Sequence, residues 1–185
     1  MLETTERESL GTIARQSIQT GLQTGRPLAP EPTRFPPTLL KPGASFVTLH
    51  KFSELRGCIG SLEAHRPLTV DVAENAFAAA FRDPRFTPLR AEEWELLTLD
   101  ISVLSSPEPV SFDSQTHLLS LLRPGVDGLI LQDGIRRGTF LPSVWEQLPE
   151  PAQFLAHLKQ KAGLAPDHWS GTLKVWRYET ESFPA

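Results

Sequence analysis

Proline limits what this chain can fold into more than any other residue. Seventeen of its 185 residues are proline, roughly twice the usual share of about 5%. Each one removes a backbone donor and fixes φ. Pro27, Pro30, Pro32, Pro36, Pro37 and Pro42 crowd into residues 26–42, and neither a helix nor a central strand fits such a run. The segment reads as a stiff connector lying across the surface. A proline-rich ligand for another domain is the competing reading, against which stand the apolar Phe35 and Leu39. Later prolines act as stops: Pro84 disfavours helical geometry at Asp83, and Pro124 and Pro142 punctuate the second half. What remains is a series of short elements.

Those elements are legible from spacing. Leu10, Ile13, Ala14 and Ile18 recur at three- and four-residue intervals, an amphipathic helix over residues 2–22. Residues 44–50 and 55–60 are strand-forming runs around a turn at 51–54, a β-hairpin. Pro67 can open the next helix, whose interior holds Leu68, Val72, Ala76, Phe77, Ala79 and Ala80 and which ends near Asp83. Leu99, Ile101 and Val103 alternate with Thr98, Asp100 and Ser102, a half-buried strand. Residues 113–122 read as a helix capped by Asp113 or Ser114 and stopped at Pro124-Gly125. Residues 128–132 and 136–141 read as two strands, with Asp133-Gly134 supplying the positive φ of their turn. A helix over 150–162 closed by Gly163 and a strand over 172–178 complete the chain. Hairpins interspersed with helices, without regular strand-helix alternation, predict an α+β fold with a mostly antiparallel sheet flanked by helices. The length suits one domain.

Composition excludes several classes. A net charge of −4 and a pI near 5.7 argue against nucleic acid as a partner and against anionic lipid. No apolar run approaches the ~20 residues of a membrane span. The first ten residues carry Glu3, Glu6 and Glu8, unlike a secretory signal, so a cytoplasmic protein is expected. A single cysteine, Cys58, can make neither an internal disulfide nor a multi-thiolate zinc site. Phosphate-loop, Gly-x-Ser-x-Gly, His-Glu-x-x-His and dinucleotide fingerprints are missing. Nothing here calls for a cofactor or a bound metal.

The most unusual segment is Leu55-Arg56-Gly57-Cys58-Ile59-Gly60. Glycine inside a strand marks a bulge or a close approach by another backbone or a ligand. In a regular strand Arg56 lies on the same face as Cys58, and its cation favours thiolate over thiol. That is what an activated nucleophile requires; free cysteine is also among the most buried residue types, so an inert packed sulfur fits the same string. A nucleophile needs a base. With a turn at 51–54, His50 opposes Leu55 and faces away from Cys58, unless the register slips by one residue. His65, in the loop after the hairpin and free to turn back, is the better candidate. His117 and His157 lie on predicted helices, and His168 in a loop. In Arg82-Asp83-Pro84-Arg85-Phe86 two cations flank a carboxylate. Asp83 can orient one guanidinium and leave the other for an anionic substrate group, or the cluster can simply pin the loop.

The string Leu55 to Gly60 resembles the signature of the AMMECR-type domain family, whose bacterial and archaeal members are called AmmeMemoRadiSam system protein A. The resemblance extends through Ala80-Phe81-Arg82-Asp83-Pro84-Arg85-Phe86, Ser102-Val103-Leu104-Ser105, Gly125-Val126-Asp127-Gly128-Leu129 and Thr139-Phe140-Leu141-Pro142-Ser143-Val144. It then reaches Lys161-Ala162-Gly163-Leu164 and Trp169, covering nearly the whole chain as a single domain. It implies an α+β fold with a larger and a smaller subdomain. It also implies association with a radical SAM protein and a Memo-family protein, to which the iron-sulfur chemistry would belong, since one cysteine cannot ligate a cluster.

Two functional readings follow. In one, a thiol-dependent enzyme, Cys58 is the nucleophile or acyl carrier, Arg56 stabilises its thiolate, His65 serves as base, and Arg82 or Arg85 holds an anionic substrate. In the other, a non-catalytic module, Arg56, Gly57 and Gly60 shape a groove for a small molecule or a partner's peptide. The first predicts a reactive sulfur, the second an inert one.

Overall fold

The structure, a computed structural model, describes residues 2–185. Its strands in chain order are β1 (Pro42–Lys51), β2 (Glu54–Gly60), β3 (Arg66–Pro67), β4 (Leu97–Leu104) and β5 (Glu108–Pro109). They continue with β6 (Gly128–Asp133), β7 (Arg136–Phe140), β8 (Lys174–Tyr178) and β9 (Thr180–Pro184). The helices are α1 (Thr4–Thr24), α2 (Pro37–Leu40), α3 (Leu68–Phe81), α4 (Gln115–Leu121) and α5 (Pro151–Lys161). None of them is long and apolar enough to cross a membrane. The architecture is α+β with antiparallel sheets, and the chain divides into two compact units.

The first unit runs to Leu104 and takes back Glu181–Ala185. Its sheet has the order β2-β1-β4-β9, with β3 on the far end of β1. Val47 and Leu49 of β1 sit opposite Ile101 and Leu99 of β4, and all four are buried. This apolar face meets α3, whose Ala73, Ala76, Ala79 and Ala80 keep the helix thin enough to lie close. Leu10, Ile13, Ala14 and Ile18 of α1 complete the same core. Gly21 lets α1 approach α3, since a Cβ there would stand 2.4 Å from the Phe81 ring.

The second unit, Ser105–Thr180, holds the order β5-β8-β6-β7. Leu129, Leu131, Leu173 and Val175 form its core with Leu118 of α4 and Phe154, Leu155 and Leu158 of α5. Trp145 stacks on Phe154 with centroids 3.7 Å apart, and its indole N–H donates to the Asp127 carbonyl at 2.7 Å.

Besides the two-residue strands β3 and β5, which the sequence reading did not expect, three further features depart from the sequence expectation. Residues 37–40 of the proline-rich segment form a helical turn, because Pro37 sits where a helix needs no donor, and Leu39 is fully buried. In the second hairpin Asp133 pairs with Arg136, so the turn residues are Gly134 and Ile135, and Gly134 alone has positive φ. A final strand, β9, follows β8 and lies against β4, with the Ala185 N–H on the Leu99 carbonyl.

Candidate functional site

The β1–β2 hairpin contains one irregularity that decides the site. Lys51 pairs with Glu54 and His50 with Leu55, but Leu49 pairs with Gly57 and Thr48 with Cys58. Arg56 is therefore an extra residue, a β-bulge that breaks the alternation of faces. Arg56 and Cys58 do not act together as a regular strand would have them. The Arg56 guanidinium grips Glu93 through Nε at 3.1 Å and Nη2 at 3.0 Å and donates to the Thr87 carbonyl at 3.0 Å. Lys51 joins the same carboxylate at 3.0 Å.

The Arg56 hydrogen bonds, with help from Lys51, hold the Glu93 carboxyl down to about 2 from its ordinary 4.5. Because the folded value is depressed, this stabilisation is whole above the unfolded pKa and is lost as pH falls toward the folded one. Glu93→Gln should thus flatten the acid loss of stability between about pH 4.5 and about pH 2. Urea midpoints at several pH values read the difference, and identical slopes for variant and wild type would refute it.

Asp83 and Arg85 clamp the backbone of Cys58. β2 is an edge strand, so the Cys58 N–H and carbonyl point away from β1 and need partners. The N–H donates to Asp83 Oδ2 at 2.9 Å, and Arg85 Nη2 donates to the carbonyl at 3.3 Å. The same two side chains join at 2.7 Å. Asp83 is 4% exposed, and hydrogen bonding from Arg85 holds its carboxyl far below the usual range. Arg82 lies over the Phe77 ring at 4.9 Å instead.

The Cys58 side chain emerges, half-buried, on the sheet face opposite α3. Its Sγ lies 3.2 Å from Thr48 Oγ1. Thr48 is also the register partner of Asp100 on β4, so thiol, hydroxyl and carboxylate form one row across three strands. His50, two residues from Thr48, shares that face and places Nδ1 3.4 Å from Asp100 Oδ2. The ring is 32% exposed and the carboxylate 46%, so both are open to solvent. The His50–Leu55 pairing is the one expected from the sequence; the bulge then returns Cys58 to the His50 side. His65 does not approach the thiol. It is exposed and bonded to the Glu63 carbonyl, beside Arg66, which pairs with Gly43. Since Cys58 pairs with Thr48, the two are separated by five β1 residues, roughly 17 Å.

Both glycines are filled by the protein itself. A Cβ on Gly57 would stand 2.1 Å from the Ala79 carbonyl oxygen of α3, and one on Gly60 2.2 Å from the Phe46 ring. The remaining histidines serve locally: His117 on Asp113, His157 on the Gln153 carbonyl. His168 bonds Asp133 at 2.6 Å; Ser170, Thr172 and then His168 hold that carboxyl down to about 2.

These features define an α+β domain that presents a thiol, backbone-clamped on an edge strand, on an open polar sheet face. The chain belongs to the AMMECR1 family, whose model matches residues 11–183. It is 37% identical to a protein of Thermofilum pendens over 98% of this chain and 91% of the relative. A protein of Methanothermobacter thermautotrophicus is 38% identical over 96% and 93%. The crystal structure of an uncharacterized protein from Pyrococcus horikoshii superimposes with a TM-score of 0.82 at 34% identity, over 99% of this chain and 93% of that one.

Proposed function

We propose that the protein is a thiol-dependent enzyme with Cys58 as its nucleophile and His50, rather than His65, as its base. The observation that carries this reading is the common face of Cys58, Thr48, His50 and Asp100. Asp100 orients the imidazole through Nδ1, which leaves Nε2 to take the thiol proton, directly or through the Thr48 hydroxyl. The sulfur then attacks an acyl carbon of the substrate; the new S–C bond replaces the bond to the leaving group, which receives the proton back from His50. Asp100 offsets the imidazolium in between. Arg85, 53% exposed beside the Cys58 backbone, suits an anionic group on the substrate. Arg56 acts as a positioning residue through its hold on Glu93. The pathway is the one its family shares with a radical SAM protein and a Memo-family protein. A ligand groove beside Gly57 and Gly60 is the weaker alternative, because Ala79 and Phe46 occupy that space.

Alkylation tests the reading without a known substrate. The iodoacetamide rate of Cys58 in the folded protein should exceed that of a free thiol at neutral pH, and His50→Gln should lower it on the order of tenfold. His65→Gln should leave it unchanged. A wild-type rate no faster than a free thiol from about pH 6 to about pH 9 would overturn the activated nucleophile.

A further inference from the structure

The second unit leaves part of one strand unpaired. Against β6 the β8 ladder runs from Tyr178 to Lys174, but against β5 it ends at Pro109 opposite Trp176. One more bond, from the Val110 N–H to the Val175 carbonyl at 2.9 Å, closes that side. Backbone groups of one strand alternate between its two neighbours, so the next donor and acceptor on this edge are the Val175 N–H and the Leu173 carbonyl. Neither has a hydrogen-bond partner among the described residues.

A cleft of about 380 Å³ opens at this point, within the size range of ligand sites. All four residues from Leu173 to Trp176 line it. Their side chains alternate between faces, so the space they share runs along the edge of the strand. The opposite wall is the chain leaving β5, where Val110 and Phe112 pack on the same core as Leu173 and Val175. The Phe112 ring lies 5.6 Å from that of Trp169, and Lys159 Nζ stands 5.6 Å from the Trp169 centroid. Trp169 is thus braced and still 37% exposed. Two charged side chains line the cleft. Asp113 accepts from the Ser114 hydroxyl and meets His117 Nδ1 at 3.1 Å, whereas the exposed Lys174 ammonium has no ion pair or hydrogen bond among the described residues.

We propose that this cleft takes an extended peptide segment as an added strand parallel to β8, with an acidic side chain opposite Lys174 and apolar side chains on either side of it. One residue of a parallel strand, placed opposite Lys174, donates its N–H to the Leu173 carbonyl and accepts from the Val175 N–H, the two groups left open. Its side chain falls on the Lys174 face, where a carboxylate completes a cross-strand ion pair. Its two neighbours point to the other face, toward Phe112 and the Trp169 ring beside it. The site lies wholly within the second unit and stands whether or not Cys58 is reactive.

Amide NMR of the full chain tests it, with an acetylated and amidated pentapeptide that carries glutamate at its centre and leucine on both sides. Titration should shift the Val175 amide signal and slow its hydrogen exchange, with a Kd of about 1 mM or tighter. N-methylation of the central glutamate removes the N–H meant for the Leu173 carbonyl and should weaken binding on the order of tenfold. Trp169→Ala, at an exposed position, should weaken it by a similar factor. Lys174→Glu should reverse the preference, so that the same peptide with lysine at its centre binds better than the glutamate one. No shift at Val175 up to about 5 mM peptide, equal affinity for the N-methylated peptide, unchanged affinity of Trp169→Ala, or an unreversed preference in Lys174→Glu would each overturn the proposal.

Discussion

Asp71→Ala should cost about 3–5 kcal/mol of stability, the range for removing one partner of a buried charge network. Asp71 is fully buried on α3. Its Oδ2 accepts from the Ser45 N–H at 2.8 Å, the Ser45 hydroxyl at 2.7 Å and the Asn75 amide at 2.9 Å. Its Oδ1 accepts from the Ser61 hydroxyl at 2.7 Å and Arg66 Nε at 2.9 Å. The five donors come from β1, from the loop after β2, from β3 and from the helix itself, so one carboxylate ties the helix to the strands beneath it. Alanine strands those donors without water to replace it. Set against the total of about 5–15 kcal/mol for a typical domain, this is a large fraction. Asp71→Asn should recover little, because an amide N–H₂ must then face other donors. Arg66→Ala should cost far less, since the arginine is partly exposed and four neutral donors remain. Urea unfolding of the three variants gives the order, and an Asp71→Ala loss no larger than that of Arg66→Ala would contradict it.

That network was within reach of the sequence. Asp71 and Asn75 fall on the stripe marked by Leu68, Val72 and Ala79, and polar residues on a buried stripe signal internal hydrogen bonds. Four of the five helices, all but the turn of α2, and most strands followed from spacing and from proline stops, because period and punctuation are local properties. The candidate site did not, and for two physical reasons. One extra residue at Arg56 flips every following side chain of β2; the neighbouring glycine signals a bulge or a close approach without telling which, or at which residue. Pairing of β1 with β4, which brings Asp100 to His50 and Thr48, joins segments about fifty residues apart. Likewise β9 carries a proline and little alternation, so it forms because the β4 edge is there to receive it.

Gly57→Ala should be the most damaging single-methyl addition near the site, and it separates a packing role for the Arg-Gly-Cys string from a binding one. The added Cβ would stand 2.1 Å from the Ala79 carbonyl oxygen, a backbone atom of a helix that cannot rotate away. Either α3 lifts from β2 or the bulge rearranges, at an overpacking cost of about 1–3 kcal/mol or more. Gly60→Ala meets the Phe46 ring at a similar 2.2 Å, but a half-buried side chain can turn aside, so its cost should be smaller. The same asymmetry extends to the thiol, because Gly57 immediately precedes Cys58 and the backbone shift it forces would pull the Cys58 N–H from Asp83. Gly57→Ala should therefore lower both the urea midpoint and the Cys58 alkylation rate of the protein that remains folded, while Gly60→Ala leaves the rate near wild type. Equal effects of the two substitutions would mean that the α3 carbonyl yields as easily as a ring. The clamp on Cys58 would then not depend on how closely α3 lies against β2.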